Sequence, residues 1–153
     1  MDFYENIRSG KTEAVEQMLK QDPSLANQKD EKGFPPIVLA TYNEQPEVSK
    51  VLLGHAADID AKDVAGNTAL MGVCFKGNLE IARLLINRGA DVNARNFGGA
   101  TPLIFAAMFN QLEITHLLLE NGADKSMRDV KGNTAYTYAQ KAENPKLQEL
   151  LKP

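Results

Sequence analysis

One feature of this sequence restricts its fold more than any other: it repeats itself. "DVAGNTALMGVCFKGNLEIARLLINRGADVNAR" spans residues 63–95, and "NFGGATPLIFAAMFNQLEITHLLLENGADKSMR" spans residues 96–128. Gly66 and Gly99, Thr68 and Thr101, and Gly89 and Gly122 are each 33 residues apart. The frame extends back to "DEKGFPPIVLATYNEQPEVSKVLLGHAADIDAK" at 30–62 and forward to a shortened copy at 129–153. A unit this short cannot enclose a core. Its apolar face must be covered by the next copy, so the chain must build an array whose stability comes from neighbours.

Each unit reads as two helices. Thr101 suits an N-cap and Pro102 the first helical position, where a missing N–H costs nothing; Thr68 and Thr134 occupy the same place. "LEIARLLI" has the spacing of a helix with one buried face. Gly89 and Gly122 follow the second helices, where a left-handed residue satisfies orphan carbonyls. Leu52, Leu85, Leu118 and Leu151 share the frame and are expected to stack into one core column. Pro35 replaces the capping Thr in the unit at 30–62, which removes a side-chain cap typically worth about 0.5–2 kcal/mol.

The motifs "GNTAL", "GATPL", "LEIARLLINRGADVNAR" and "LEITHLLLENGAD" resemble the ankyrin repeat family. The resemblance covers nearly the whole chain. It implies an all-α solenoid of helix–turn–helix repeats joined by β-hairpin or turn connections. The expected units are a degenerate N-terminal capping repeat at 1–29, repeats at 30–62, 63–95 and 96–128, and a truncated C-terminal capping repeat at 129–153. In the first of these, Ser9-Gly10 forms the turn, and Asp22-Pro23-Ser24-Leu25 departs from the pattern. Tyr136 and Tyr138 replace aliphatic positions near the other end, a choice that buries a ring and leaves its hydroxyl wet.

Composition narrows the function classes. Hydrophobic residues make up 43% and charged residues 24%, the mix of a folded chain. A net charge of −3 disfavours a general nucleic-acid binder, which needs surplus cations to displace counterions. No segment approaches the roughly 18 apolar residues that span a bilayer. The start lacks a signal-peptide pattern, and Cys74 is the only cysteine, so no internal disulfide and no Cys-based zinc site can form. A reduced, cytoplasmic setting is the expectation.

Catalytic chemistry is not visible. His55 and His116 match no metal spacing. Cys74 aligns with Ala107, a small buried position, and reads as a core thiol. Gly98-Gly99 lacks the strand before it and the Lys-Ser/Thr after it that a phosphate loop needs. Asp58, Asp91 and Asp124 recur once per repeat and read as local hydrogen-bonding groups in the connectors. The expectation is no enzyme, no cofactor and no metal. An enzyme or metal protein, and a nucleic-acid-associated protein, are the disfavoured alternatives.

The resemblance implies that partners bind at the hairpin tips and along the concave side of the first helices. Mapped onto this chain, those positions carry Phe34 and Phe97 at the tips, and Tyr42, Phe75-Lys76 and Met108-Phe109 at the helix ends. Tyr42, Phe75 and Met108 share the 33-residue frame and are expected to form one column. Large apolar side chains gathered on one exposed face mark an interaction site. The alternative folds some rings inward, with Phe109 against the next repeat and Phe34 over the helix end at Pro35. A second column is basic: Lys29, Lys62, Arg95 and Arg128, each followed by Asp except Arg95, which precedes Asn96. Arg95 and Arg128 join the candidate contacts, and a carboxylate beside an apolar knob would suit the stretch from Arg95 to Phe97. The expected function is protein binding, as adaptor or inhibitor of a partner, by a chain that is monomeric unless its apolar face pairs with itself.

Overall fold

A computed structural model describes residues 2–153. Among them are ten α-helices, one 3₁₀ turn at Pro23–Asn27, and no strand. The helices are α1 (Phe3–Arg8), α2 (Thr12–Gln21), α3 (Pro36–Tyr42), α4 (Pro46–Gly54), α5 (Ala69–Lys76), α6 (Leu79–Asn87), α7 (Pro102–Met108), α8 (Leu112–Glu120), α9 (Ala135–Lys141) and α10 (Pro145–Leu151). They pair in chain order, one pair per repeat. The odd helices form an inner row and pack closely on one another, while the even helices form a looser outer row. Small residues such as Ala40, Val73, Ala106 and Ala139 let the inner row approach. An array packed more tightly along one row curves around it.

Local signals start the helices as expected. Thr68, Thr101 and Thr134 each accept a backbone N–H, from Met71 at 3.4 Å, Ile104 at 3.2 Å and Thr137 at 3.4 Å. Pro35 caps α3 without a side-chain bond. Pro36 has no N–H to satisfy, and Val38 N–H donates to the Pro35 carbonyl at 3.0 Å. The backbone thus supplies part of what the missing Thr would. Gly77 turns from α5 into α6 at φ +88°, while Glu44, Asn110 and Glu143 take the same left-handed conformation in the other repeats. Only Gly adopts it without steric cost.

Leu52, Leu85, Leu118 and Leu151 are buried, as the frame predicts. Asp58, Asp91 and Asp124 accept the amides of Asp60, Asn93 and Ser126. Their own amides donate back to Asn27, Asp60 and Asn93 at 2.7–2.9 Å, one repeat earlier. The connectors are therefore stapled repeat to repeat. The hairpin expectation is met only as tight turns. Asp63 Oδ1 accepts the amides of Ala65 and Asn67, and Asn96 Oδ1 those of Gly98 and Ala100. Adjacent tips share single bonds, Phe97 N–H to the Ala65 carbonyl and Val130 N–H to the Gly98 carbonyl. That is too few to make a strand ladder.

Candidate functional site

The inner-row helices end on the concave side, and their last residues point there. Tyr42, Phe75, Met108 and Phe109 are 41%, 41%, 38% and 39% exposed, each half in contact and half in solvent. Tyr42 and Phe75 lie with parallel rings and centroids 6.2 Å apart. Phe75 meets Phe109 edge to face at 4.6 Å, and Phe109 lies nearly parallel to Phe105 at 6.3 Å. Lys76 Nζ sits 4.8 Å above the Tyr42 ring. Four rings and one ammonium thus form a continuous ladder over three repeats.

This corrects the expected column in one respect. The ring that meets Phe75 belongs to Phe109, not to the aligned position Met108. Phe109 is the C-cap of α7 and stands 34 residues after Phe75, just as Lys76 stands 34 after Tyr42. Lys76 and Phe109 each reach back over the aromatic of the preceding repeat. Gln111 Nε2 donates to the Phe75 carbonyl at 3.3 Å and ties the next repeat to that helix end.

Between the inner helices and the turns lies an open hollow of about 480 Å³, lined mainly by apolar side chains. Its walls include Phe34, Leu39, Tyr42, Met71, Phe75 and Phe105, with Arg8 and Asp63 among its polar members. Phe34 is half-buried against the core and so follows the inward alternative. Gly72 lies on the hollow, inside α5. The same frame position holds Leu39, Phe105 and Tyr138 in the other repeats. Gly72 has no positive φ, and an added Cβ would meet only Tyr42 Cδ1, at an ordinary 3.6 Å. Neither backbone nor crowding demands glycine, although a helix-interior glycine costs about 0.5–1 kcal/mol relative to alanine.

The turn row is a separate feature. Val64, Phe97 and Val130 share the frame and are 73%, 71% and 75% exposed. Phe97 rests on Gly66, whose missing Cβ would lie 2.9 Å from the ring. Gly66 also has φ +81°, so both sterics and backbone hold that position to glycine. Beside this row, Lys62 Nζ donates to the Arg95 carbonyl at 2.8 Å, Arg95 to the Arg128 carbonyl at 2.6 Å, and Arg128 to the Gly132 carbonyl at 2.8 Å. Part of the job of Arg95 and Arg128 is therefore structural. Among the described residues no carboxylate lies within 4.0 Å of Lys62, Arg95 or Arg128, the ion pairs being Arg8–Asp30, Lys50–Glu47 and His55–Glu16. The Asp that follows Lys62 and the Asp that follows Arg128 serve turn amides instead of neutralising their neighbour.

Of the candidate residues, Tyr42, Phe75, Lys76 and Phe109 come together, with Phe34 in the adjoining hollow. Met108 is exposed at the edge of this cluster. Phe97, Arg95 and Arg128 stand apart on the turn row. Sequence reasoning missed Phe105 and Gly72. The signal was the frame position Leu39–Gly72–Phe105–Tyr138, where one member lacks a side chain.

The other groups named for chemistry are accounted for by the fold. Cys74 is buried, and burial pushes its thiol far above the ordinary range, so it stays protonated. His55 Nε2 lies 3.0 Å from Glu16 Oε1, a pair that joins α2 to the end of α4, while His116 is exposed on α8. Tyr138 donates to Asp129 rather than leaving its hydroxyl wet. Burial works to raise the Asp129 carboxyl, but the Tyr138 hydroxyl and the amides of Asn133 and Lys131 outweigh it and hold the group below the usual carboxylate range. Among the described residues no group of three or more His, Cys, Asp or Glu side chains is placed to hold a metal ion, and no helix is long and apolar enough to cross a membrane.

No curated protein matches the chain closely. A family model described as ankyrin repeats matches in three copies, at residues 4–96, 61–129 and 94–153. With the capped helix pairs, the repeat-to-repeat staples and the curved inner row, this match over nearly the whole length places the chain in the ankyrin repeat family, whose members are generally protein–protein interaction modules and typically not enzymes.

Proposed function

We propose that the protein binds a partner protein on its concave face. Phe75 and Phe109 form the centre, Tyr42, Lys76, Met108 and Phe34 surround it, and Phe97, Arg95 and Arg128 extend the contact onto the turn row. One observation carries this reading: the ring ladder Tyr42–Phe75–Phe109 stays about 40% exposed although Leu70, Val73, Leu103 and Ala106 of the same helices are fully buried. Half-exposed rings held rigid by one another lose little side-chain freedom on binding, and aromatic side chains are enriched in interface cores. The reading extends to an adaptor or inhibitor that works as a monomer in the cytoplasm and performs no reaction of its own. Capture of partners from the native cell extract, followed by affinity measurement on the purified pair, tests it. Phe75→Ala and Phe109→Ala weaken that affinity; unchanged affinity in both removes the concave face from the interface.

A further inference from the structure

The geometry around Gly72 points to a specific occupant of the concave face. We propose that the hollow at Gly72 is an anchor subsite that seats one bulky apolar side chain, Phe- or Leu-like, from an acidic segment of the partner protein. This inference rests on the concave-face reading above and adds the partner's chemistry to it.

The first argument is the missing side chain. Leu39 and Phe105 fill the frame position in the neighbouring repeats, and Gly72 leaves it open for no reason internal to the fold. The resulting space of about 480 Å³ falls within the ~300–1,000 Å³ usual for ligand pockets. Its apolar walls include Leu39, Tyr42, Met71, Phe75 and Phe105, and of the lining residues only Gly72 contributes no side chain. An apolar side chain entering here completes the stack that the neighbouring repeats complete for themselves.

The second argument is charge. Among the inner helices, α1 contains Glu5 and Arg8, while α3, α5, α7 and α9 contain two charged side chains, Lys76 and Lys141, and no carboxylate. The outer helices α4, α6, α8 and α10 contain Glu47, Glu80, Glu113, Glu120 and Glu149. A chain of net charge −3 therefore keeps these acids off its concave side. Lys76 borders the hollow through Tyr42, and Lys62, Arg95 and Arg128 line the turn row without a carboxylate partner. Asp63 is the acidic member of the lining, and its Oδ1 is occupied by two turn amides. Arg8 is held by Asp30 at 3.5 Å. Lys76 thus stands beside the apolar seat, and Lys62, Arg95 and Arg128 continue as a cationic row along the turns. They complement acids that flank a bulky residue in an extended segment.

The test uses the full chain and short synthetic peptides with a central Phe, Leu or Ser, flanked by Asp and Glu, by Lys, or by Ser. Binding is read by chemical-shift changes at Gly72 and by titration. The acid-flanked Phe or Leu peptide binds at least tenfold more tightly than its Lys-flanked and Ser-centred counterparts. Gly72→Leu, which copies the preceding repeat, lowers that binding at least tenfold with no loss of thermal stability. Gly72→Ala, whose Cβ fits without a clash, lowers it by a smaller factor and covers the case in which the larger residue perturbs folding. Lys76→Glu lowers it at low salt and by less at high salt. Equal binding to wild type and both Gly72 variants overturns the subsite, as does equal or tighter binding of the Lys-flanked peptides, or no binding by any peptide. A dimer that Gly72→Leu dissociates overturns it in favour of a second copy of this chain. If the Gly72 variants leave the native partner's affinity intact while Phe75→Ala lowers it, the concave-face reading stands and only the subsite falls.

Discussion

The inner and outer helix rows are built from the same repeat, yet they solve different problems. Outer helices such as α6 and α8 bury one face, with Ile81 and Leu85, and Ile114 and Leu118, inside and charged residues outside. Nothing on them is both large and apolar and left largely exposed. The inner helices bury most of their length, then end in Tyr42, Phe75 and Met108, followed by Phe109. The outer row thus shows what folding alone requires. The inner row exceeds that requirement at its ends and falls short of it at Gly72. Residues that depart from a repeat in either direction are the ones the fold does not explain.

Six substitutions break or sharpen this comparison. Leu118→Ala, in the outer row, has the largest expected effect, about 2–5 kcal/mol of stability lost to a buried cavity. Denaturant unfolding measures it, and the protein that remains folded keeps its partner affinity. Phe75→Ala and Phe109→Ala show the opposite pattern. Each weakens partner binding by one to two decades, roughly 1.4–2.8 kcal/mol. Their stability cost is smaller, about 1 kcal/mol, from the lost edge-to-face pair. If they cost as much stability as Leu118→Ala, the rings are core and the contrast between the rows fails.

The caps give a smaller effect. Thr101→Ala removes the bond to Ile104 and costs about 1 kcal/mol, whereas Pro35→Thr gains less than about 0.5 kcal/mol because Val38 already has an acceptor. Paired melts of the two variants separate these outcomes. The smallest effect concerns Asp129. Its folded-state pKa lies below its ordinary value, so the stability it contributes is complete above about pH 4 and is lost as the pH falls through the lower folded value. Tyr138→Phe, which removes one donor, costs less than about 1 kcal/mol near neutral pH, and the gap to wild type narrows in acid. A gap that stays constant down to acid pH would show that the Tyr138 hydroxyl does not act through the Asp129 charge.

Much of this architecture was legible because repeat folds translate sequence distance into spatial distance. A 33-residue frame, three Thr caps and a Leu column specify helix pairs stacked in register. The local work of Asp58, Asp91 and Asp124 was legible for the same reason, since turn chemistry depends on residues only a few positions away. What the frame could not express is contact between positions that are not aligned. Phe109 meets Phe75 across 34 residues, and Phe105 joins the ladder by stacking on Phe109 from one turn earlier on the same face of α7. Likewise, the basic column read as ions beside acids, but Lys62 and Arg95 reach carbonyls one repeat away, Arg128 reaches the Gly132 carbonyl in its own turn, and Asp63 and Asp129 serve turn amides.

The sequence by itself therefore determined the repeat length, the helix pairs, the caps, the core column and the exposure of Tyr42, Phe75 and Met108 at the inner helix ends, because each follows from short-range chemistry repeated at a fixed interval. Only the tertiary structure decided which rings touch, which cations remain free of carboxylates, and that the absence of a side chain at Gly72 opens a hollow. Those depend on side-chain directions and on the offset between stacked repeats, and a void takes its shape from every side chain around it rather than from the residue that is missing.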